Sequence, residues 1–533
     1  MEKRTIVAII ISLLILIGYQ KVFVKPQVNV LKDMQVVEEE GVTESPAKKI
    51  QPAEEKIAFP LSSAVKKETR IFENDALVAE FSNIGGSLKS VTMKQYDETL
   101  PVQDIFGLSG YEQQPFVLKS SSNNKIIYSY TDESYEIKKI YDLSRQDYQI
   151  GLDVQVKNIS GMSKVKSIKI NALTIETTEA AKDKSLGRER GLYEYAVDLD
   201  GATTRKSNAF KFSLKNEEQK SGKVSWCSFR NRYFCTIVKP DFITKDYQSV
   251  FGGENRLSLL FETQNATIPA GASTSFQALA YIGPQNIKTM AAYGEGFEDV
   301  VAFSRFKILD FISKGIIKIL NFVYKIVPNW GFAIIIVSIL VYGAMYPLTL
   351  KGMMSMKKMQ SLQPEIAKVR EKHKSNPQKM NQEIMEMYKK DGVNPFGGCF
   401  PFLLQMPVFI GLYQALWRSV MFKGAGFLWI KDLSAPDRLF IFPFTLPVIG
   451  NELNILPLFM MVIMFFQQKF SSKNMVATDP NQIMQQKMMA IVFPLMLGFI
   501  FYKFASGLTL YFTMFYTFSM LSQWKMSKIK KVA

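Results

Sequence analysis

The residues best placed to do chemistry in this chain are hydroxyls and amides set inside apolar runs. Ser338, Tyr342 and Tyr346 recur at four-residue intervals within the uncharged run 329–350, so on a helix they form one stripe. Gln405 stands in NPFGGCFPFLLQMPVFIGLYQALW (394–417), between prolines at 401 and 407, and Thr509, Tyr511 and Thr513 punctuate a later apolar run. Such side chains hold water and exchange hydrogen bonds. Against lipid they are costly, so they face a bundle interior or a water-filled cavity. Small and polar residues also serve plain helix packing, and spacing alone does not choose between the two. Covalent chemistry has no comparable support: there is no Walker loop, no metal-ligand cluster and no nucleophile elbow. The single histidine, His373, lies in a hydrophilic insert and is expected in solvent. Neither cofactor, metal nor ATP hydrolysis is expected.

The elements that must position these residues follow from composition. At 533 residues the chain exceeds one domain, and a near-zero mean hydropathy with 40 Phe and 26 Met implies a soluble part averaged with a lipid-embedded part. A net charge of +17 fits nucleic acid, an anionic surface or the cytoplasmic flanks of membrane spans, and the positions of the lysines decide. Three cysteines build no disulfide framework; Cys227 and Cys235 either pair in an exported domain or, the plainer reading, are buried free thiols.

Residues 1–24 read as a signal anchor: a basic head followed by an apolar run with no small-x-small cleavage site. Residues 25–69 read as a flexible periplasmic tether. Alternating segments such as YQIGLDVQV, with Ile150, Leu152, Val154 and Val156 on one side, predict an exported all-β sandwich over 70–290. An amphipathic helix with a lysine stripe at 303–327 is expected to lie in the membrane interface. Apolar runs at 329–350, 396–417, 455–470, 488–502 and 507–523 follow, each near the ~20 residues a spanning helix needs, two of them short. A hydrophilic insert at 352–391 reads as a cytoplasmic helical hairpin rich in methionine: Met353, Met354, Met356, Met359, Met380, Met385 and Met387. Those thioethers suit either an adaptable capture surface or the packing of one hairpin half on the other. Basic excess falls on alternate sides of the spans, as the positive-inside tendency requires of six spans with both termini in the cytoplasm. The charge therefore reads as topology, not nucleic-acid binding.

NWGFAIIIVSILVYGAMYPLT, MKKMQSLQPEIAKVREK, VNPFGGCFPFLLQMPVFIGLY, LWIKDLSAPD, TDPNQIMQQKMM and ASGLTLYF together resemble the YidC membrane protein insertase family from about residue 330 to the C-terminus. The order of parts is similar to that of its Gram-negative members. The resemblance implies a polytopic α-helical membrane protein with six transmembrane helices, a five-helix insertase core over 329–533, and a large periplasmic domain of β-supersandwich type. It implies insertion and folding of nascent membrane proteins in the bacterial inner membrane, alone or with the Sec translocon. Ribosome docking and lipid contact are implied partners, and small-molecule substrates are not. In the family a hydrophilic groove opens to the cytoplasm and sideways to lipid. Gln405, Met406 and Phe409 match groove or client-contact positions, and Tyr511 and Phe512 match an aromatic pair along which clients slide; with Ser338, Tyr346 and Thr509 they make up the expected groove.

One position departs from the pattern. Family members generally carry a cation, usually arginine, where VYGAMYPL places Tyr342, so the expected groove is polar without being positive. A secondary transporter or channel using the same stripe is the alternative reading, but neither a repeat nor a mid-depth carboxylate supports it. A sugar-active enzyme is the third; mutarotase chemistry normally relies on histidine, and the β region has none.

Overall fold

The computed structural model describes residues 67–528, apart from 123, 146, 177–193, 208–217, 252–255, 305, 374–375, 393–399, 447–449 and 474–479. The expected signal anchor, nearly all of the tether, the NPFGG entry to the run at 396–417 and the last five residues lie outside the described residues.

Among the described residues, three larger antiparallel sheets and a two-stranded one, Lys164–Lys166 with Ala266–Ile268, build the β domain. The largest has nine strands, in the spatial order Ala202–Ser207, Glu194–Leu199, Val224–Arg230, Phe234–Pro240, Ser273–Pro284, Gln149–Asn158, Tyr135–Asp142, Lys125–Thr131 and Val117–Ser122. Six-stranded and four-stranded sheets accompany it, and these three contribute to one buried cluster: Phe81 from the four-stranded, Val154 from the largest and Leu259 from the six-stranded. In Gln149–Asn158 the residues Ile150, Leu152, Val154 and Val156 are all buried, as a period of two requires when one face meets a core.

The nine-stranded sheet is covered on its other face as well. Cys235, Ile237, Leu279 and Tyr281 join a second buried cluster that continues without a break into the helices. This decides the cysteines. Cys227 pairs with Val238 and Arg230 with Cys235, so the two thiols are offset by three residues along neighbouring strands and project to opposite faces. Both are free and buried; burial pushes the Cys235 thiol up to about 12, and Cys227 higher still.

The helices are α1 (Ile287–Ala292), α2 (Lys307–Ile326), α3 (Trp330–Ser361), α4 (Gln363–Lys372), α5 (Pro377–Lys390), α6 (Phe400–Arg418), α7 (Ile455–Lys473), α8 (Pro480–Phe501) and α9 (Ser506–Lys528). α2 buries Ile316, Ile317, Leu320 and Val323 against α6 and α3, and turns Phe311 and Phe322 outward. Within α3, Trp330–Ser355 is the one described helical segment long and apolar enough to cross a bilayer; Ile455–Ser471 and Ala490–Phe501 are shorter apolar helices. Only 28% of the most apolar window of α3 is buried, which is not how the core helix of a soluble protein sits. Phe459 and Val462 of α7 and Ile491, Leu495 and Phe499 of α8 are likewise exposed large apolar side chains. α3 runs on without interruption to Ser361, so the first part of the methionine-rich insert is a continuation of the helix before it.

Candidate functional site

α9 is the centre of the helical core, with α7 and α3 against it and α6 meeting it over a short stretch. Tyr342 of α3 is buried against Phe515 and Phe518 of α9, with ring centroids at 5.6 and 5.8 Å, and its hydroxyl is 2.8 Å from Ser522 Oγ. Half-buried Tyr346 lies one turn further along. From α6, half-buried Phe409 meets Phe512 edge-on at 4.9 Å, and Phe512 in turn meets Phe501 of α8 at 4.8 Å. Gln405 faces Tyr511 without closing a well-formed hydrogen bond to the phenol.

The sequence-derived residues divide into two sets. Tyr342 and Tyr346 of α3, Gln405, Met406 and Phe409 of α6 and Phe512 of α9 make up the first, all but Tyr342 half-buried, with Tyr342 touching Tyr346 and Phe409 touching Phe512. Ser338 and Thr509 are buried deeper and satisfied by their own helices: Ser338 donates to the Ile334 carbonyl at 2.7 Å and Thr509 to that of Ala505 at 3.2 Å. Thr513 does the same toward Thr509, at 2.7 Å. Tyr511 is buried and its hydroxyl has no protein partner.

Burial changes along α6 and α9 in the same sense. On α6, Leu412, Ala415 and Leu416 are buried, while 405–410 are all half-buried. On α9, 505–511 are buried and 514–518 half-buried. α3 shows two faces along this length and no such gradient: Ala333, Ile334, Val337, Ser338 and Tyr342 are buried, while Phe332, Ile339, Leu340, Gly343 and Ala344 are exposed. The buried ends of α6 and α9 are those beside the β domain, where Arg232 donates to the Trp417 carbonyl and Arg418 to that of Ala302. α6 and α9 are therefore closed at that end and less covered away from it. Pro407 adds to the polarity of the less covered end: it has no N–H, so it leaves the Leu403 carbonyl without its usual helical donor.

Three residues that the sequence reading passed over belong here. Ser522 extends the stripe Tyr511, Phe515, Phe518 at helical spacing, and that spacing is the signal that could have found it. Gln414 Oε1 on α6 and Gln523 Oε1 on α9 are buried with no protein partner, as is the Tyr511 hydroxyl. Buried polar atoms of this kind are normally satisfied by water.

The hairpin residues are a separate group. Met385 is exposed, Met353, Met359, Met380 and Met387 are half-buried, and the side chain of Met356 lies outside the described residues. α4 buries Ile366 and Val369. His373 is not in open solvent as expected: its Nε2 is 2.6 Å from Glu383 Oε2, which ties the end of α4 to α5. The bond from Lys372, helped by that of His373, holds the Glu383 carboxyl below the usual range.

Two family models match the chain: 60Kd inner membrane protein over residues 322–532 and YidC periplasmic domain over residues 107–319. A membrane protein insertase YidC of Pelobacter propionicus is 31% identical over 96% of this chain and 96% of its own length. Another, of Chlorobaculum parvum, is 29% identical over 98% of this chain and 94% of its own. A crystal structure of an active YidC insertase with its first transmembrane domain resolved covers 88% of this chain and 94% of that one, at 16% identity and a TM-score of 0.38. Two family models meeting end to end across the β domain and the helices, with full-length relatives on both sides of 30% identity, leave one assignment: the chain belongs to the YidC family of membrane protein insertases.

Proposed function

We propose that the chain inserts and folds integral membrane proteins in the bacterial inner membrane, and that a client's polar segment crosses through a trough between α3, α6 and α9. The observation carrying this reading is the gradient of burial along α6 and α9, closed beside the β domain and half-buried over 405–410 and 514–518, with Tyr342 of α3 packed against the same stretch of α9. Water held by Gln405, Gln414, Tyr511 and Gln523 lowers the ~3 kcal/mol penalty for each charge at the bilayer centre. Burial of the client's own apolar span drives its release to lipid, and the membrane potential adds about 2.3 kcal/mol per charge per 100 mV for an acidic exported tail. Ser338 and Thr509, whose hydroxyls are spent on their own helices, form the packed floor, and Met406, Phe409 and Phe512 are the apolar rail.

In this reading the chain has six spans with both termini cytoplasmic and the β domain in the periplasm. The methionine-bearing hairpin meets nascent clients and the ribosome on the cytoplasmic side, and the Sec translocon is a partner for larger clients. The transporter alternative is not favoured, since the family is one of insertases. A photo-crosslinker at Gln405 or Phe409 is expected to capture a stalled client, and one at outward-facing Phe459 is not. Equal capture at all three positions, or none at 405 and 409, removes the trough.

A further inference from the structure

We propose that the hairpin formed by Phe440–Leu446 and Gly450–Leu453 binds lipid, lying in the headgroup interface of the bilayer leaflet next to the β domain. The proposal rests on reading α7 as a membrane-embedded helix. Between Arg438 and Glu452 the chain carries no charge. Phe440, Phe442 and Phe444 share one face of the strand, with successive ring centroids 5.0 and 5.4 Å apart, and Phe440 and Phe444 are 54% and 57% exposed. Ile441, on the opposite face, is 58% exposed. On that face Ile441 sits opposite Glu452, so the ribbon presents one aromatic face and one mixed face, and a two-stranded sheet with its rings exposed has no core of its own.

Three relationships select lipid as the occupant. The hairpin runs through Asn454 directly into α7, whose outward Phe459 is 61% exposed, so the two apolar surfaces adjoin. Its base is polar: Arg438 and Glu452 pair at 2.8 Å, and the Trp429 indole donates to Asp437 at 3.3 Å, which sets a water-facing edge beside the aromatic face. The exposed face itself is a row of three phenyl rings with no polar atom among them, which acyl chains cover without further structure. Depth is limited by the backbone. The outer edges of two strands carry unpaired N–H and C=O groups, which the hydrocarbon core does not tolerate, so the ribbon lies in the interface and only its side chains dip. Pro443 removes one of those donors.

The test uses the full chain in liposomes with Cys399→Ser, the thiols of Cys227 and Cys235 being buried. A nitroxide is attached through Phe444→Cys or, as a control, Phe459→Cys, and its collisions with oxygen and with an aqueous nickel chelate are compared. Both labels are expected to favour oxygen several-fold over nickel. Nickel access at 444 with oxygen access at 459 overturns the hairpin proposal and leaves the embedded α7 intact. Shielding of 444 from both reagents also overturns it, in favour of a protein contact. Nickel access at both positions overturns the embedded reading of α7 and the hairpin with it.

Discussion

The hydroxyl of Tyr342 on α3 and that of Ser522 on α9 lie 2.8 Å apart, at the place where the family pattern generally has a cation. Tyr342→Phe removes this bond and keeps the ring packing on Phe515 and Phe518, so a loss of about 1 kcal/mol of stability is expected. Tyr342→Ala removes the ring as well, at about 3 kcal/mol or more, and is expected to impair client insertion modestly. Tyr342→Arg supplies the usual cation on a flexible stem and is expected to keep insertion. The check is insertion of an acidic-tailed client into vesicles with each variant. Complete loss with arginine would mean a pocket rebuilt around the phenol.

Arg232 joins the β domain to the helices. The Asn231 side chain accepts from the backbone N–H groups of Tyr233 and Phe234, shaping the turn that carries Arg232. The guanidinium donates to the Trp417 carbonyl at 2.6 Å and to that of Ser434 at 3.2 Å, and lies over the Trp417 ring. Arg232→Ala is expected to cost about 2 kcal/mol, since bonds from charged donors to carbonyls are worth more than neutral ones. Faster hydrogen exchange should be confined to the last turn of α6 and the 419–435 loop, with the sheets unchanged. Arg232→Lys should restore little, because an ammonium cannot reproduce the fork that reaches both carbonyls. Full recovery with lysine would reduce the contact to simple charge.

These two side chains mark what local sequence carries and what it does not. Strand alternation at Ile150, Leu152, Val154 and Val156 was legible because one face meets a core, and the stripe at Ser338, Tyr342 and Tyr346 because helical spacing is local. Which members of that stripe need water was not legible. A serine or threonine in a helix can satisfy its hydroxyl on the carbonyl one turn back, as Ser338 and Thr509 do, so its type says nothing about hydration. The bond from Arg232 to Trp417 spans 185 residues, and no periodicity reports on such a pairing. The strand Phe440–Leu446 was hidden for a related reason: its phenylalanines are interleaved with Ile441 and Pro443, so apolar and polar residues do not alternate over most of its length.

Lys139 has no exposed surface, and its ammonium donates to the carbonyls of Phe106 at 2.6 Å and Gly85 at 3.1 Å. Burial, reinforced by Lys89 and opposed by Asp104, holds it well below its ordinary value of 10.5. Between the depressed native value and 10.5 the unfolded chain binds more protons than the folded one, so stability rises with pH through that window. The buried thiols act in the opposite sense, but only from their ordinary value of 9.0 upward. Thermal midpoints should therefore show wild type gaining on Lys139→Met as the pH is raised toward 9.0. A difference independent of pH would mean that Lys139 keeps the same proton affinity folded and unfolded.

At Gly411, α6 packs closely against α2. A Cβ at this position would lie 2.6 Å from Ile312 Cγ2 and 3.1 Å from its Cβ, while Ser313 Oγ donates to the Gly411 carbonyl at 2.8 Å. The obstructing atoms sit at the root of a β-branched side chain, which cannot swing aside as a methionine tip can. Gly411→Ala is expected to push α2 off α6 and to cost about 1–3 kcal/mol. If the clash is the cause, the same change made in an Ile312→Ala background should cost clearly less, and the two substitutions should couple in a double-mutant cycle followed by thermal unfolding of the purified chain. Equal costs in both backgrounds would place the penalty in the backbone of α6 instead of at its contact with α2.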